Sequence, residues 1–376
     1  MVRTAFDLDK PETLAAAVKI VRLNQRYLLP LFMVTVAKLA TVGWILGRPF
    51  RGGHWYGPTG YAGSWYPFIG WDSPFYLYLA SSGYPAASPL HERIYAFLPA
   101  YPGLIRIIYY LFHGYIPAAA VSAFVLGIAS ILLFQRVAEF YLPKREALTA
   151  TILFAFFPYV FVFTSLAYTE SLFLFSTLAC WLFHRRGQTW ISMCFAAVAT
   201  LTRVYGVLIA VPIAIDFIRA HKMRRIIGLA APIGSLAGWG YYCFLLTGDW
   251  FAPLTSERVA WSTKGWVEAY LLGLVNGNMI LHNESIALTP FLAVFGILLL
   301  LLLQFDIALG AYSASIFVVL LITGNPTSMG RFLSFIFPIW FTVTVKNLRL
   351  ALAIIPFFIV ASAALWYEFT LGFWVN

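Results

Sequence analysis

A single carboxylate, Asp72, is the only acid between Gly47 and His91, and ten aromatic residues from Trp55 to Tyr78 surround it in sequence. An ionised acid in a partly dry aromatic chamber can take a proton from a hydroxyl group. Aromatic faces also suit sugar rings, which present apolar C–H surfaces between their hydroxyls. The same residue admits a plainer role. It could pair with Arg48, Arg51 or Arg93, or cap the helix that Ser73-Pro74 would begin, because proline favours the first helical turn. No second acid lies near it in sequence, which weighs against a two-carboxylate hydrolase.

Two arginines sit at the ends of apolar runs, Arg203 in Leu201-Thr202-Arg203-Val204-Tyr205-Gly206 and Arg331 in Met329-Gly330-Arg331-Phe332. A cation at that depth is costly unless it pairs or snorkels to the interface. A guanidinium there can also bind a phosphate through two parallel hydrogen bonds, and a lipid phosphate lies at the same depth. Arg106 and Arg93 are weaker candidates of this kind, and Lys38 weaker again. Glu170, between two apolar runs, is placed to pair with Arg203 or Arg331, or to serve a helix start.

Other chemistries find little support. The six histidines show no metal-ligand spacing, so no metal is expected, and no cofactor either. The three cysteines give no disulfide framework. Phosphate-binding loops, dinucleotide fingerprints and nucleophile elbows are missing from the sequence.

These residues must be positioned by a membrane scaffold. The 376-residue chain is 61% hydrophobic and 11% charged, well below the roughly one-quarter charged residues of a soluble domain. Apolar runs fall at 27–46, 116–135, 147–166, 169–184, 189–204, 206–218, 226–246, 286–304, 307–323, 332–345 and 350–369. The expectation is an all-α polytopic membrane protein with about 11 transmembrane helices. Residues 1–26 read as a cytoplasmic amphipathic segment rather than a cleavable signal peptide, and 27–376 as one transmembrane domain. With the N-terminus inside, 16 of the 25 basic residues fall on the cytoplasmic side, eight fall outside, and Lys38 lies within the first run. The net charge of +10 is spread in such small groups, so nucleic acid is not the expected partner. Large external loops are expected at 47–115, carrying the active site and short amphipathic helices, and at 247–285. Residues 95–112 are apolar but interrupted by Pro99, Pro102 and Arg106, and are expected to lie on the outer leaflet.

Taken in order, the motifs resemble the PIG-V-like integral-membrane mannosyltransferases of the GT-C glycosyltransferase superfamily. The resemblance rests on Trp71-Asp72-Ser73-Pro74-Phe75-Tyr76 with Gly83-Tyr84, then Phe97-Leu98-Pro99-Ala100-Tyr101-Pro102. It continues through Phe157-Pro158, Tyr168-Thr169-Glu170-Ser171-Leu172-Phe173, Leu201-Thr202-Arg203 and the stretch from Arg331-Phe332 to Pro338. It implies transfer, with inversion, of a mannosyl residue from a polyprenyl (dolichyl) phosphate carrier. In that frame Asp72 is the base and Arg203, Arg331 and Arg106 hold the donor phosphate. Trp71, Tyr76, Tyr101, Tyr168 and Glu170 line or support the site. Eukaryotic members add the second mannose of the glycosylphosphatidylinositol anchor. Gly70 stands where arginine is frequent, Phe75 where histidine is, and Ala167 where proline is. The base is unaffected by these departures, which leave the acceptor open.

The sequence-based expectation is therefore an enzyme working among membrane lipids. It would move a sugar, mannose first, from a polyprenyl phosphate donor to a hydroxyl of a lipid-linked or glycan acceptor. Its compact loops suggest the external face of a prokaryotic cell membrane rather than the lumen of the endoplasmic reticulum. The alternative is a transporter or lipid flippase, which would place charged or broken helices near the midplane in an internal repeat.

Overall fold

The computed structural model describes residues 11–48, 65, 67–86, 91–261, 289–323 and 328–372. Among the described residues every regular element is helical. In chain order these are α1 (Pro11–Leu46), α2 (Ser73–Ser82), α3 (His91–Ile94), α4 (Ala100–Phe112) and α5 (Tyr115–Ala138). Next come α6 (Lys144–Phe156), α7 (Pro158–Phe163), α8 (Glu170–Arg185) and α9 (Thr189–Thr202). A 3₁₀ segment (Val204–Ile209), α10 (Ala210–Arg219), a second 3₁₀ segment (Met223–Leu229), α11 (Ala230–Thr247) and α12 (Ala252–Trp261) follow. The chain closes with α13 (Thr289–Phe305), α14 (Ile307–Thr323), α15 (Met329–Leu333), α16 (Ile339–Lys346) and α17 (Leu348–Thr370). Most of the expected loop at 247–285, from residue 262 onward, lies outside the described residues, as do 49–64 of the first loop.

Among the described residues the expected apolar runs fall mainly on helix, with non-helical breaks inside several of them. Four helical stretches, Tyr27–Leu46, Tyr115–Ala138, Met223–Thr247 and Leu348–Thr370, are long and apolar enough to cross a membrane. The chain is an integral membrane protein. Other runs are shorter or divided, and proline supplies the reason. Residues 147–166, expected as one run, are split between α6 and α7. Pro158 cannot donate the helical hydrogen bond and holds Phe157 in an extended conformation, with ψ of 124°. The run from 332 is likewise divided between α15 and α16, and Pro338 occupies the cap of α16.

Residues 11–46 form one helix that passes through Pro30 without ending. Thirty-six residues at about 1.5 Å per residue make roughly 54 Å, beyond the ~30 Å hydrocarbon core, so part of α1 projects from the membrane. The segment 95–112 resolves into a turn and α4, whose 13 residues reach only about 20 Å. Tyr101 and Ile105 are buried, whereas Arg106, Ile107, Tyr110 and Leu111 are exposed. A helix of that length, with one buried face and one exposed face, suits the membrane interface.

At the centre lies α8, packed against α5 and α9 and buried along nearly its whole length. Small polar residues, Ser171, Ser176 and Thr177, allow this close approach. Its ends are matched to the helix dipole, with Glu170 in the first turn and His184 and Arg185 in the last. Lys38 of α1 is fully buried and donates to Thr164 Oγ1 at 2.8 Å. Gly127 of α5 lets its backbone pass directly beside the Thr164 carbonyl. The segment between α7 and α8 is thus gripped from two sides.

After α9 the chain turns sharply at Arg203, and the following 3₁₀ segment folds back onto the helix it has just left. Gly206 makes this possible, because a Cβ there would collide with the backbone of Ala199 and Thr200. Replacing Gly206 by alanine is expected to cost about 1–3 kcal/mol through overpacking. The measurement is thermal unfolding in detergent; an unchanged midpoint would mean that this turn has slack.

Candidate active site

Asp72 ends a tight turn that leads into α2. The Ser73 N–H donates to the Gly70 carbonyl at 2.9 Å, and the Gly70 N–H donates to Ser73 Oγ at 3.2 Å. Between them Trp71 takes the left-handed backbone region, with φ of +50°. For a bulky residue this conformation costs about 1–3 kcal/mol and persists only where its surroundings enforce it.

The enforcement is visible. Ala167 N–H donates to the Phe68 carbonyl at 2.7 Å, and Trp366 Nε1 of α17 donates to the Pro67 carbonyl at 2.6 Å. The Tyr168 hydroxyl donates to the Gly70 carbonyl at 3.2 Å and accepts from the Asp72 N–H at 3.1 Å. Two of the departures noted in the sequence acquire a physical meaning here. A proline at 167 would lack the N–H that Phe68 receives. Any side chain at 70 would press on the Phe369 ring, 3.0 Å from an added Cβ.

Asp72 occupies the cap position of α2, yet its side chain makes no capping hydrogen bond. The carboxylate turns instead to Arg331, whose Nη1 donates to Asp72 Oδ2 at 3.3 Å. Among the described residues the partner is therefore 259 residues away and is neither Arg48 nor Arg93; Arg51 lies outside the described residues. Arg331 Nε also lies 3.3 Å from Glu170 Oε1, and Arg203 Nη1 lies 3.3 Å from that same oxygen. Arg203 Nε donates to Thr169 Oγ1 at 3.2 Å. Two arginines and two carboxylates thus form one chain, Asp72–Arg331–Glu170–Arg203.

Aromatic faces complete the cluster. The Arg331 guanidinium lies 5.3 Å from the Phe163 ring, 5.5 Å from Tyr168 and 4.9 Å from Phe332. Arg203 lies 4.9 Å from the other arginine's neighbour, Phe332, and 5.1 Å from Phe335. Gly330, beside Arg331, is packed against the Tyr159 ring with no room for a Cβ.

Burial raises the Asp72 carboxyl above the usual carboxylate range, and Arg331 opposes that rise without cancelling it. A buried, partly compensated carboxylate is a stronger base than an exposed one, which is the property proton abstraction needs.

The other expected site residues fall into distinct places. Tyr76, one turn into α2, is buried and meets Tyr101 edge-on at 5.3 Å. Tyr101 donates its hydroxyl to the Ala119 carbonyl of α5 at 3.0 Å, so its polar group is engaged in holding α4 to α5. Arg106 is not brought to the cluster: it lies on the exposed face of α4. Arg331 is 5% exposed and enclosed by carboxylates, whereas Arg203 opens onto a cavity of about 220 Å³. That cavity is walled by Tyr76, Thr169, Tyr205 and Phe332 among others, and Asp72 is not on its wall. Fifteen per cent of the Asp72 side chain remains accessible.

One residue on the cavity wall, Glu257 of α12, was not singled out in the sequence. Nothing in its local pattern, Ser256-Glu257-Arg258, separates it from a solvated loop acid. Among the described residues no group of three or more histidine, cysteine or acidic side chains is arranged to hold a metal.

Residues 97–246 match the family model described as dolichyl-phosphate-mannose-protein mannosyltransferase. The matched stretch contains Glu170 and Arg203 and stops short of Asp72 and Arg331. It supports the broader GT-C superfamily. No curated protein sequence matches the chain. Two solved structures of ArnT from Cupriavidus metallidurans resemble it, one bound to undecaprenyl phosphate and one in the apo state. Both have a TM-score of 0.49, at 15% and 16% identity, over 83% and 84% of this chain. The likeness spans only 60% and 59% of the ArnT chains.

The Arg331–Asp72 contact makes a signed prediction. Activity that needs ionised Asp72 falls as pH drops through its raised pKa, so the acid limb lies above that of an exposed aspartate, about 3.9. Arg331→Gln removes the charge that favours the anion and should move the limb further up, by about 1–3 pH units. The pH profile of kcat/KM in the wild type and the variant checks this; a limb that stays put or moves down would contradict the pairing.

Proposed function

We propose that this chain is an inverting membrane glycosyltransferase. It moves a sugar, mannose first, from a polyprenyl phosphate carrier to a hydroxyl of a lipid-linked or glycan acceptor. The observation that carries the reading is the buried Asp72–Arg331–Glu170–Arg203 chain beside a cavity onto which one of its cations opens. The family match over 97–246 supports a dolichyl-phosphate-sugar donor. The narrower PIG-V-like assignment rests on the ordered motifs from Trp71 to Pro338.

In this reaction Asp72 takes the proton of the acceptor hydroxyl while the oxygen's electron pair attacks the anomeric carbon. The bond between that carbon and the phosphate oxygen breaks, and its electrons leave with the polyprenyl phosphate. The released phosphate gains one negative charge, and Arg203 is the cation positioned to stabilise it. Arg331, enclosed by two carboxylates, holds the base in place more readily than it could clamp a phosphate. Glu170 fixes both guanidiniums. Tyr168 orients the backbone at Asp72, and Tyr76 lines the adjoining cavity.

Orientation follows from α8 and α9. The acid–arginine cluster lies at one end of these helices, and Arg185, Arg186 and the basic stretch Lys222 to Arg225 lie at the other. The positive-inside tendency supports the reading that the site faces outward.

The test is transfer by purified protein in liposomes, given a radiolabelled polyprenyl phosphate mannose and a membrane extract as acceptor source. Asp72→Asn preserves shape and should lose about 10²–10⁴-fold in transfer, the usual contribution of a positioned base. Near wild-type transfer by that variant would remove Asp72 from the chemistry.

A further inference from the structure

Glu257 lies on α12 and lines the same cavity as Arg203. Among the described residues it has no hydrogen-bond or ion-pair partner, although it is close enough to Arg203, Asp72 and Arg331 to feel their charges. Burial raises its carboxyl above the usual range, and Arg203 opposes this from across the cavity. A half-buried carboxylate without a partner is costly to keep in place unless a ligand supplies hydrogen-bond donors.

The shape of the surroundings limits what that ligand can be. Adjoining the cavity is a second, apolar groove of about 490 Å³, lined by Ile233, Trp239, Trp250 and Phe251 among others. The two share Val204, Pro253 and Leu254 as a common wall. A molecule with a hydrocarbon tail in the groove and a phosphate on Arg203 leaves its next group inside the aromatic cavity, facing Glu257. At about 30 Å³ per water, 220 Å³ holds about seven waters, roughly the bulk of one hexose.

Resting on the glycosyl-transfer reading, we infer that Glu257 accepts hydrogen bonds from hydroxyls of the donor's sugar. It thereby distinguishes the sugar-bearing lipid from the bare lipid phosphate left after transfer. Once the sugar has gone, the uncompensated carboxylate faces a more highly charged phosphate, which favours release of the product.

Binding of dolichyl phosphate mannose and of dolichyl phosphate to the full chain in lipid nanodiscs tests this. Glu257→Ala should weaken binding of the mannosyl lipid by about ten-fold or more, the scale of a hydrogen bond to a charged group. It should leave dolichyl phosphate bound at least as tightly as before. Glu257→Gln, which keeps the shape and one acceptor oxygen, should show a smaller loss in the same direction and decides the matter if the alanine variant does not fold. Unchanged selectivity in the variants, or equal weakening of both lipids, overturns the role of Glu257 while leaving the glycosyl-transfer reading intact. A wild-type protein that binds neither lipid overturns both.

Discussion

The structure depends on how four ionised side chains are kept together inside an apolar bundle. Glu170 Oε1 lies 3.3 Å from both Arg203 and Arg331, and Arg331 in turn reaches Asp72. Removing water from such groups is expensive, and breaking one buried pair typically costs about 3–5 kcal/mol. The cluster is therefore stable only as a whole. It draws together segments far apart in sequence: the turn before α2, the first turn of α8, the end of α9, and α15. In this way the electrostatics of the site and the closure of the fold are one constraint. Arg331 couples them, since without it both Asp72 and Glu170 would be buried anions lacking a direct counter-charge or reduced to one.

Around this cluster the protein spends conformational freedom to aim a single carboxylate. Trp71 is held in a left-handed conformation by contacts from the α7–α8 connection and from α17. Asp72 is thereby prevented from capping α2, which is its locally preferred use. The cost is met by packing at Gly70, Gly206 and Gly330, where close approach leaves no space for a side chain larger than hydrogen without neighbours shifting. Arrangements of this kind fix a reacting group before substrate arrives, which is how a site stabilises charge with little reorganisation.

Much of this was legible in the sequence. The apolar runs marked stretches that are mainly helical, because hydrocarbon leaves the backbone few other ways to satisfy its hydrogen bonds. The isolation of Asp72 and the positions of Arg203, Arg331 and Glu170 at run ends marked them out, since charges are rare at such depths. What was hidden depended on distance in the chain. The sequence offered Arg48, Arg51 and Arg93 as partners for Asp72; Arg51 lies outside the described residues, and the fold supplied Arg331 rather than Arg48 or Arg93. Arg106 shares the residue type but lies on the exposed face of α4, a matter of helical phase that Pro99 and Pro102 obscure. Tyr101 was expected to line or support the site, and the fold shows its hydroxyl bound to the Ala119 carbonyl. Glu257 gave no local signal, because the cavity it lines is walled largely by residues far away in the chain, Tyr76, Arg203 and Phe332 among them. The long runs divided at Pro158 and Pro338 show the same limit, since hydropathy windows average over the breaks that shape the site.

In the proposed reaction one positioned base drives direct, in-line displacement at the anomeric carbon. The most direct measurement is the anomeric configuration of the transferred sugar, determined by NMR on the isolated product and compared with that of the donor. A single base acting on the acceptor hydroxyl predicts inversion. Retention would require a second carboxylate acting as nucleophile and would contradict the account.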